Sequence, residues 1–174
     1  MTTRRPLFLI GYRGTGKSTV ARLLAERLHC TWLDADVELE KRAGKSIRQI
    51  FIDNGEETFR DLESAVLQDL MNATDTVIAT GGGVVLREEN RLALKNGLVV
   101  WLRAPAAVLW HRLNEDAMTR ERRPNLSQGG LAEIEEMLRL RTPIYERCAD
   151  FTVDTDAATP TEIAEVISRF GRQT

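Results

Sequence analysis

Cysteine is nearly absent. Cys30 and Cys148 are too few for a disulfide framework or a metal quartet, and they predict buried thiols in a reducing compartment. Histidine is as scarce. Neither His29 nor His111 has neighbours that suggest a metal centre or a nucleophile–base pair, and both read as structural or surface residues. No long hydrophobic run opens the chain: MTTRRPLFLIGYRG carries basic residues, but Gly11 cuts its apolar stretch short. A signal peptide and a spanning helix are excluded there, which predicts a cytoplasmic protein with no membrane partner. An excess of positive charge is missing too. Lys and Arg number 24 against 26 Asp and Glu, a net charge of −2, which argues against a general nucleic-acid binder. Repeats, linkers and low-complexity tracts are also lacking.

What is present is an ordinary globular composition, 43% hydrophobic and 29% charged over 174 residues, enough for one domain with a substantial core. Short apolar runs alternate with helical patterns. Strands are expected at 7–10, 31–33, 76–80, 98–102 and 151–153. Helices are expected over 17–29, from the Asp34-Ala35-Asp36 cluster to Ala43 with Gly44 as the stop, and from a Ser46–Gln49 capping box through Phe51. Others should cover 56–72, 88–95 and Pro105 to about Leu113. A helix from Ala132 should end or kink near Thr142 because of Pro143, and Thr159-Pro160-Thr161-Glu162 starts a last helix that reaches Phe170. Asn114 to Gly130 is polar and reads as a mobile loop. This alternation implies an α/β three-layer sandwich, a parallel sheet covered on both faces.

The turn after the first strand, GYRGTGKS, fits G-x-x-x-x-G-K-[ST] through Gly11, Gly16, Lys17 and Ser18. Glycines let successive N–H groups converge on phosphate oxygens, and the following helix N-terminus adds partial positive charge. Lys17 can reach the β- and γ-phosphates and the Ser18 hydroxyl can ligate Mg²⁺, so the turn should hold a nucleoside triphosphate.

Three more clusters lie at strand ends or on neighbouring helices. Asp34 and Asp36 can serve a metal and a substrate hydroxyl, although Asp36 could instead cap the next helix. Thr80-Gly81-Gly82-Gly83 occupies the place where many phosphate-loop enzymes keep a metal-binding aspartate; bare backbone there can donate N–H groups to a ligand, and Asp34 becomes the best metal carboxylate. In Phe59-Arg60-Asp61-Leu62-Glu63 the i, i+3 spacing lets Glu63 steady the Arg60 guanidinium. Arg141, just before Thr142-Pro143, is a second arginine suited to a carboxylate. The polar loop contains Arg120, Arg122, Arg123 and Pro124, the material of a closing lid that brings charge to a transferring phosphoryl group.

In order, GYRGTGKST, DAD, FRDLE, TGGGVV, RRP, RTPIY and VDTDAATP resemble the shikimate kinases, within the nucleoside-monophosphate-kinase-like group of phosphate-loop folds. The resemblance covers nearly the whole chain. It implies a five-stranded parallel sheet of order 2-3-1-4-5 in one domain: a core (1–34, 75–113 and 131–174), a substrate-binding segment (about 35–74) and a lid (about 114–130). The implied reaction is ATP-dependent transfer to the 3-hydroxyl of shikimate with Mg²⁺, by a monomer whose partners are the two small molecules.

Carried onto these positions, Gly11, Gly14, Thr15, Gly16, Lys17, Ser18 and Thr19 hold ATP. Ser18 and, through water, Asp34 serve the metal. Asp36 takes the acceptor hydroxyls and is the candidate base. Arg60 and Arg141 grip the carboxylate, helped by the backbone of Gly81, Gly82 and Gly83. Arg123 is the lid arginine and Pro160 borders adenine. The chain departs from the family after RRP, where NLSQGG replaces the usual leucines, and Arg120 and Arg122 compete with Arg123. Two other functions fit the same parts: a gluconate-type sugar-acid kinase, and a nucleotide-binding regulatory module without transfer activity.

Overall fold

Strand β1 (Leu7–Ile10) shows how the layers arise. Successive side chains point to opposite faces, so Leu7 and Leu9 enter one core and Phe8 and Ile10 the other. All four are buried, as expected of a central strand covered on both sides. The computed structural model describes residues 5–115 and 130–170; the expectations for Arg120, Arg122, Arg123 and Pro124 lie outside the described residues.

Along the chain, β1 is followed by α1 (Lys17–Leu28), β2 (Thr31–Asp34), α2 (Ala35–Ala43) and α3 (Ile47–Leu70). Then come β3 (Thr76–Ala79), a 3₁₀ turn (Val84–Leu86), α4 (Glu88–Leu94), β4 (Leu98–Arg103) and α5 (Ala106–Glu115). After the undescribed stretch the order is α6 (Gly130–Cys148), β5 (Phe151–Asp154) and α7 (Pro160–Phe170). The five strands form one parallel sheet in the order β2-β3-β1-β4-β5. Helices α1 and α7 pack on the Leu9 face, through Val20, Leu24, Ile163 and Ile167. Helices α3, α4 and α6 pack on the Phe8 face, through Leu67, Leu94 and Tyr145. Because β1 lies between β3 and β4, the loops leaving β1 and β3 emerge side by side at the C-terminal edge, where ligands of such sheets bind.

Helix boundaries follow local chemistry, with corrections. Strand β2 runs one residue further than its apolar pattern, so Asp34, not Asp36, caps α2: its Oδ1 accepts from Asp36 N at 3.0 Å and Val37 N at 3.3 Å. Ser46 caps α3 by accepting from Gln49 N, but the Gln49 amide turns to Asp53 instead of closing the box. The two helices expected on either side of residue 55 meet at Gly55, whose φ of 79° breaks helical geometry inside α3. Thr159 and Glu162 do close a capping box, the Thr159 N–H donating to Glu162 and the Glu162 N–H to the Thr159 hydroxyl.

Pro143 does not end its helix; α6 continues to Cys148. The lost donor and ring crowding cost about 3 kcal/mol, which the burial of Ile134 and Tyr145 on either side offsets. The expected loop is shorter at both ends, since Asn114 belongs to α5 and Gly130 opens α6. Both thiols are half-buried rather than enclosed, Cys30 against the α1/α7 layer and Cys148 against the opposite one. Among the described residues, no helix is long and apolar enough to cross a membrane.

Gly97, entering β4, has no room for a side chain: a Cβ there would lie 2.6 Å from Phe8 Cε2 and closer still to the Pro6 carbonyl. Gly97→Ala is expected to lower the unfolding free energy by about 3 kcal/mol, as overpacking of this kind does, measured by urea titration.

Candidate active site

The phosphate loop is pre-shaped. Gly16 takes φ 87° just before α1, a left-handed conformation that a side chain resists. Thr15 Oγ1 donates to the Tyr12 carbonyl at 2.8 Å and is buried. Lys17, also buried, donates from Nζ to the carbonyls of Gly11 (2.8 Å) and Tyr12 (2.9 Å). Ser18 is exposed on the first turn of α1, with Thr19 beside it. Its hydroxyl donates to Asp34 Oδ2 at 2.5 Å. Two hard oxygen donors therefore already meet next to the loop, the donor set that Mg²⁺ takes.

One strand away, the Thr80-Gly81-Gly82-Gly83 turn leaves β3. Thr80 ties it to β1 by donating from N–H and hydroxyl to the Leu9 carbonyl, at 3.1 and 2.9 Å. Each glycine is crowded by a different part of the site. A Cβ on Gly81 would lie 2.6 Å from Glu63 Oε1 and 3.0 Å from Asp36 Oδ1, so two carboxylates stand over one backbone atom. On Gly82 it would lie 3.3 Å from Arg13 N and 3.5 Å from the Gly11 carbonyl, against the phosphate loop itself. On Gly83 it would collide with the Arg60 guanidinium, whose Cζ is 2.7 Å away. The triple glycine is thus a floor on which Asp36, Arg60 and the phosphate loop meet.

Arg60 is held from both sides along α3. It donates to Glu63 Oε2 at 2.7 Å and to Glu56 Oε1 at 3.1 Å, the i+3 and i−4 neighbours. Its side chain is 12% exposed and that of Glu63 only 5%, whereas Glu56 is 65% exposed. Burial works against the Arg60 charge, and Glu63 and Glu56 more than restore it, holding the guanidinium above its usual range. It is a fixed cation at any working pH.

Arg141 arrives from α6. Its Nη1 reaches the Gly82 carbonyl at 3.5 Å, and its guanidinium lies 5.7 Å from the centre of the Tyr12 ring. One helical turn on, the buried Tyr145 hydroxyl donates to the same carbonyl. Asp36, Arg60 and Arg141 therefore all border the triple glycine. Pro160 is the first residue of α7 and exposed, beyond the β5 loop. That loop is fastened to the phosphate loop by Arg112, which donates to Thr155 Oγ1 at 3.1 Å, to its carbonyl at 2.5 Å and to the Gly14 carbonyl at 3.3 Å.

Tyr12, Arg112 and Tyr145 escape sequence reasoning. For Tyr145 a signal exists: it follows Arg141 by four residues, the spacing that places two side chains on one helix face. Tyr12 and Arg112 act through contacts that only the folded chain brings together.

A phosphate loop one strand removed from arginine-lined glycine backbone places the chain among the phosphate-loop kinases of small acceptors. Comparison with known sequences narrows this. A family profile described as shikimate kinase matches residues 13–171. A shikimate kinase of Microcystis aeruginosa is 44% identical over 162 residues, covering 92% of this chain and 83% of that protein. One of Thioalkalivibrio sulfidiphilus is 42% identical over 173 residues, covering 99% and 90%. The solved shikimate kinase of Acinetobacter baumannii in complex with shikimate superposes with a TM-score of 0.91 at 34% identity, covering 98% of this chain and 94% of that one. The chain belongs to the shikimate kinase family.

The unequal exposure of the two glutamates around Arg60 has a measurable consequence. Glu63→Ala leaves a half-buried cation short of its buried partner and is expected to lower stability by about 3 kcal/mol. Glu56→Ala removes a solvated contact and should cost under about 1 kcal/mol. Urea titration of both variants checks the difference.

Proposed function

We propose that the chain transfers the γ-phosphoryl group of ATP to the 3-hydroxyl of shikimate, giving shikimate 3-phosphate and ADP. The observation that carries this is the convergence of Asp36, Arg60 and Arg141 on a glycine floor whose middle residue rests on the phosphate loop. An acceptor bearing both a carboxylate and hydroxyls needs that combination of two guanidiniums and a carboxylate. Family membership supports the same acceptor.

In this proposal ATP lies on residues 11–19. Lys17 exchanges its bonds to the Gly11 and Tyr12 carbonyls for the β- and γ-phosphates, trading neutral acceptors for charged ones. Ser18 and Asp34 would hold Mg²⁺, Asp34 through water; when bound, the ion neutralises charge on the phosphate oxygens. Arg60 and Arg141 take the shikimate carboxylate, with help from the N–H groups of Gly81, Gly82 and Gly83. That fixes the ring so that a hydroxyl faces Asp36. The carboxylate of Asp36 orients the 3-hydroxyl along the line of attack and accepts its proton as the new P–O bond forms. Arg123, just before Pro124, supplies positive charge to the transferring group from the lid, and residues 35–74 form the substrate-binding segment. Pro160 borders the adenine.

The gluconate and regulatory alternatives lose to particular residues. A regulatory module has no use for a half-buried, doubly braced Arg60 aimed at the glycine floor. A gluconate kinase is not favoured by 42–44% identity to shikimate kinases over nearly the whole chain.

A coupled ADP-release assay with shikimate and gluconate side by side tests the proposal: turnover should depend on shikimate, and equal rates with gluconate, or acceptor-independent hydrolysis, would reject it. In the same assay Asp36→Asn should lower kcat by about 10²-fold or more, the usual scale of a lost general base, with the KM for ATP little changed.

A further inference from the structure

The two arginines over the glycine floor are held in very different ways. Arg60 is clamped by two carboxylates. For Arg141 the described residues offer no carboxylate in hydrogen-bond or ion-pair contact, but neutral partners: a carbonyl at the 3.5 Å limit of hydrogen bonding, the Met137 sulfur at 3.7 Å and the face of the Tyr12 ring. Its charge and a hydrogen bond also act on the Tyr145 oxygen. A guanidinium so lightly engaged is available to a ligand, provided that nothing nearby competes for it.

The competitor is the Gly82 carbonyl. It sits in the interior, between the phosphate loop and α6, and needs a donor. Tyr145 supplies one. Its hydroxyl donates to Gly82 O, its side chain is fully buried, and its ring stacks on Trp101 with centroids 5.6 Å apart and planes at 22°. Burial pushes the phenol up to about 12, against the pull of Arg141, so the hydroxyl keeps its proton and stays a donor at any assay pH.

We propose that Tyr145 is a positioning residue for Arg141: by satisfying the Gly82 carbonyl it leaves the guanidinium for the acceptor's carboxylate. Without the hydroxyl, Arg141, one turn away on the same helix, tightens onto that carbonyl. The fork then turns from the acceptor to the floor. The inference rests on the reading of Arg141 as a carboxylate grip and adds to it the group that keeps the grip open.

Tyr145→Phe keeps the ring on Trp101 and removes only the donor. Steady-state kinetics with shikimate and with its methyl ester, which lacks the anionic group, separate positioning from general damage. The variant should raise the KM for shikimate about tenfold, the scale of losing one charge-assisted hydrogen bond. The kcat, the KM for ATP and the kinetics with the ester should stay within about twofold. Equal losses with acid and ester, or an unchanged KM for shikimate, overturn the proposal.

Arg141→Ala makes the two levels distinguishable. If it raises KM while Tyr145→Phe does not, only the positioning role fails; if Arg141→Ala itself leaves KM unchanged, the grip reading fails and takes this inference with it. In the Arg141→Ala background Tyr145→Phe should add nothing, and a full multiplicative effect there contradicts it. Should the phenylalanine variant not fold, a structure of the unaltered protein with shikimate decides. Arg141 should have left Gly82 O for the carboxylate while Tyr145 keeps it; the reverse arrangement overturns the proposal.

Discussion

Close approach to bare backbone is the constraint on which the site depends. Three successive residues without side chains let three separate structures touch one short turn. The paired carboxylates of Glu63 and Asp36 close over Gly81, the phosphate loop closes on Gly82, and the Arg60 guanidinium covers Gly83. A Cβ at Gly81 or Gly83 would occupy space that charged atoms already fill. The triple glycine is therefore a requirement of distance: one glycine would make the turn, but only three allow carboxylate, nucleotide loop and guanidinium to share a floor.

The sheet supplies the geometry that makes this possible. Leu9 pairs with Ala79, and the Thr80 bonds to the Leu9 carbonyl bring the β1 and β3 loops out together. Helices on the Phe8 face then deliver the cations. Helix α3 carries Arg60 inward on the same stretch as Phe59 and Leu67, whose burial anchors it. Helix α6 carries Arg141 one turn before Tyr145, which is locked against Trp101 in β4. The core packing and the site are thus parts of one arrangement, since the side chain that fixes α6 on the sheet also bonds the glycine floor. The two cations are held differently: Arg60 is fixed in place by Glu63 and Glu56, which keep it charged, while Arg141 rests on a carbonyl, a sulfur and a ring.

Much of this is legible in the amino-acid order wherever the relevant contact is local. The phosphate loop is a continuous pattern, Arg60 and Glu63 lie three residues apart on one helix, and Thr159–Glu162 announces its own cap. What escapes depends on distance or on a boundary. Which aspartate caps α2 turns on where β2 stops, and pairing with Ala79 extends it to Asp34. Pro143 reads locally as an end or a kink, yet the helix continues through it to Cys148. Tyr12 and Tyr145 resemble ordinary core aromatics until the fold places both beside Arg141 and Gly82. Arg112 reads as one solvated arginine among many until it is seen joining the β5 loop to Gly14.

The central claim, that an acceptor carboxylate and the phosphate loop are brought together across side-chain-free backbone, is tested most directly at Gly83. Calorimetric titration of Gly83→Ala with shikimate and, separately, with ADP divides the two halves of the site. The atoms nearest the added methyl group are all in the Arg60 guanidinium, so affinity for shikimate should fall by about tenfold or more, the scale of a lost charged bond, while that for ADP is unchanged. Undiminished shikimate binding, with Arg60 displaced, would contradict it.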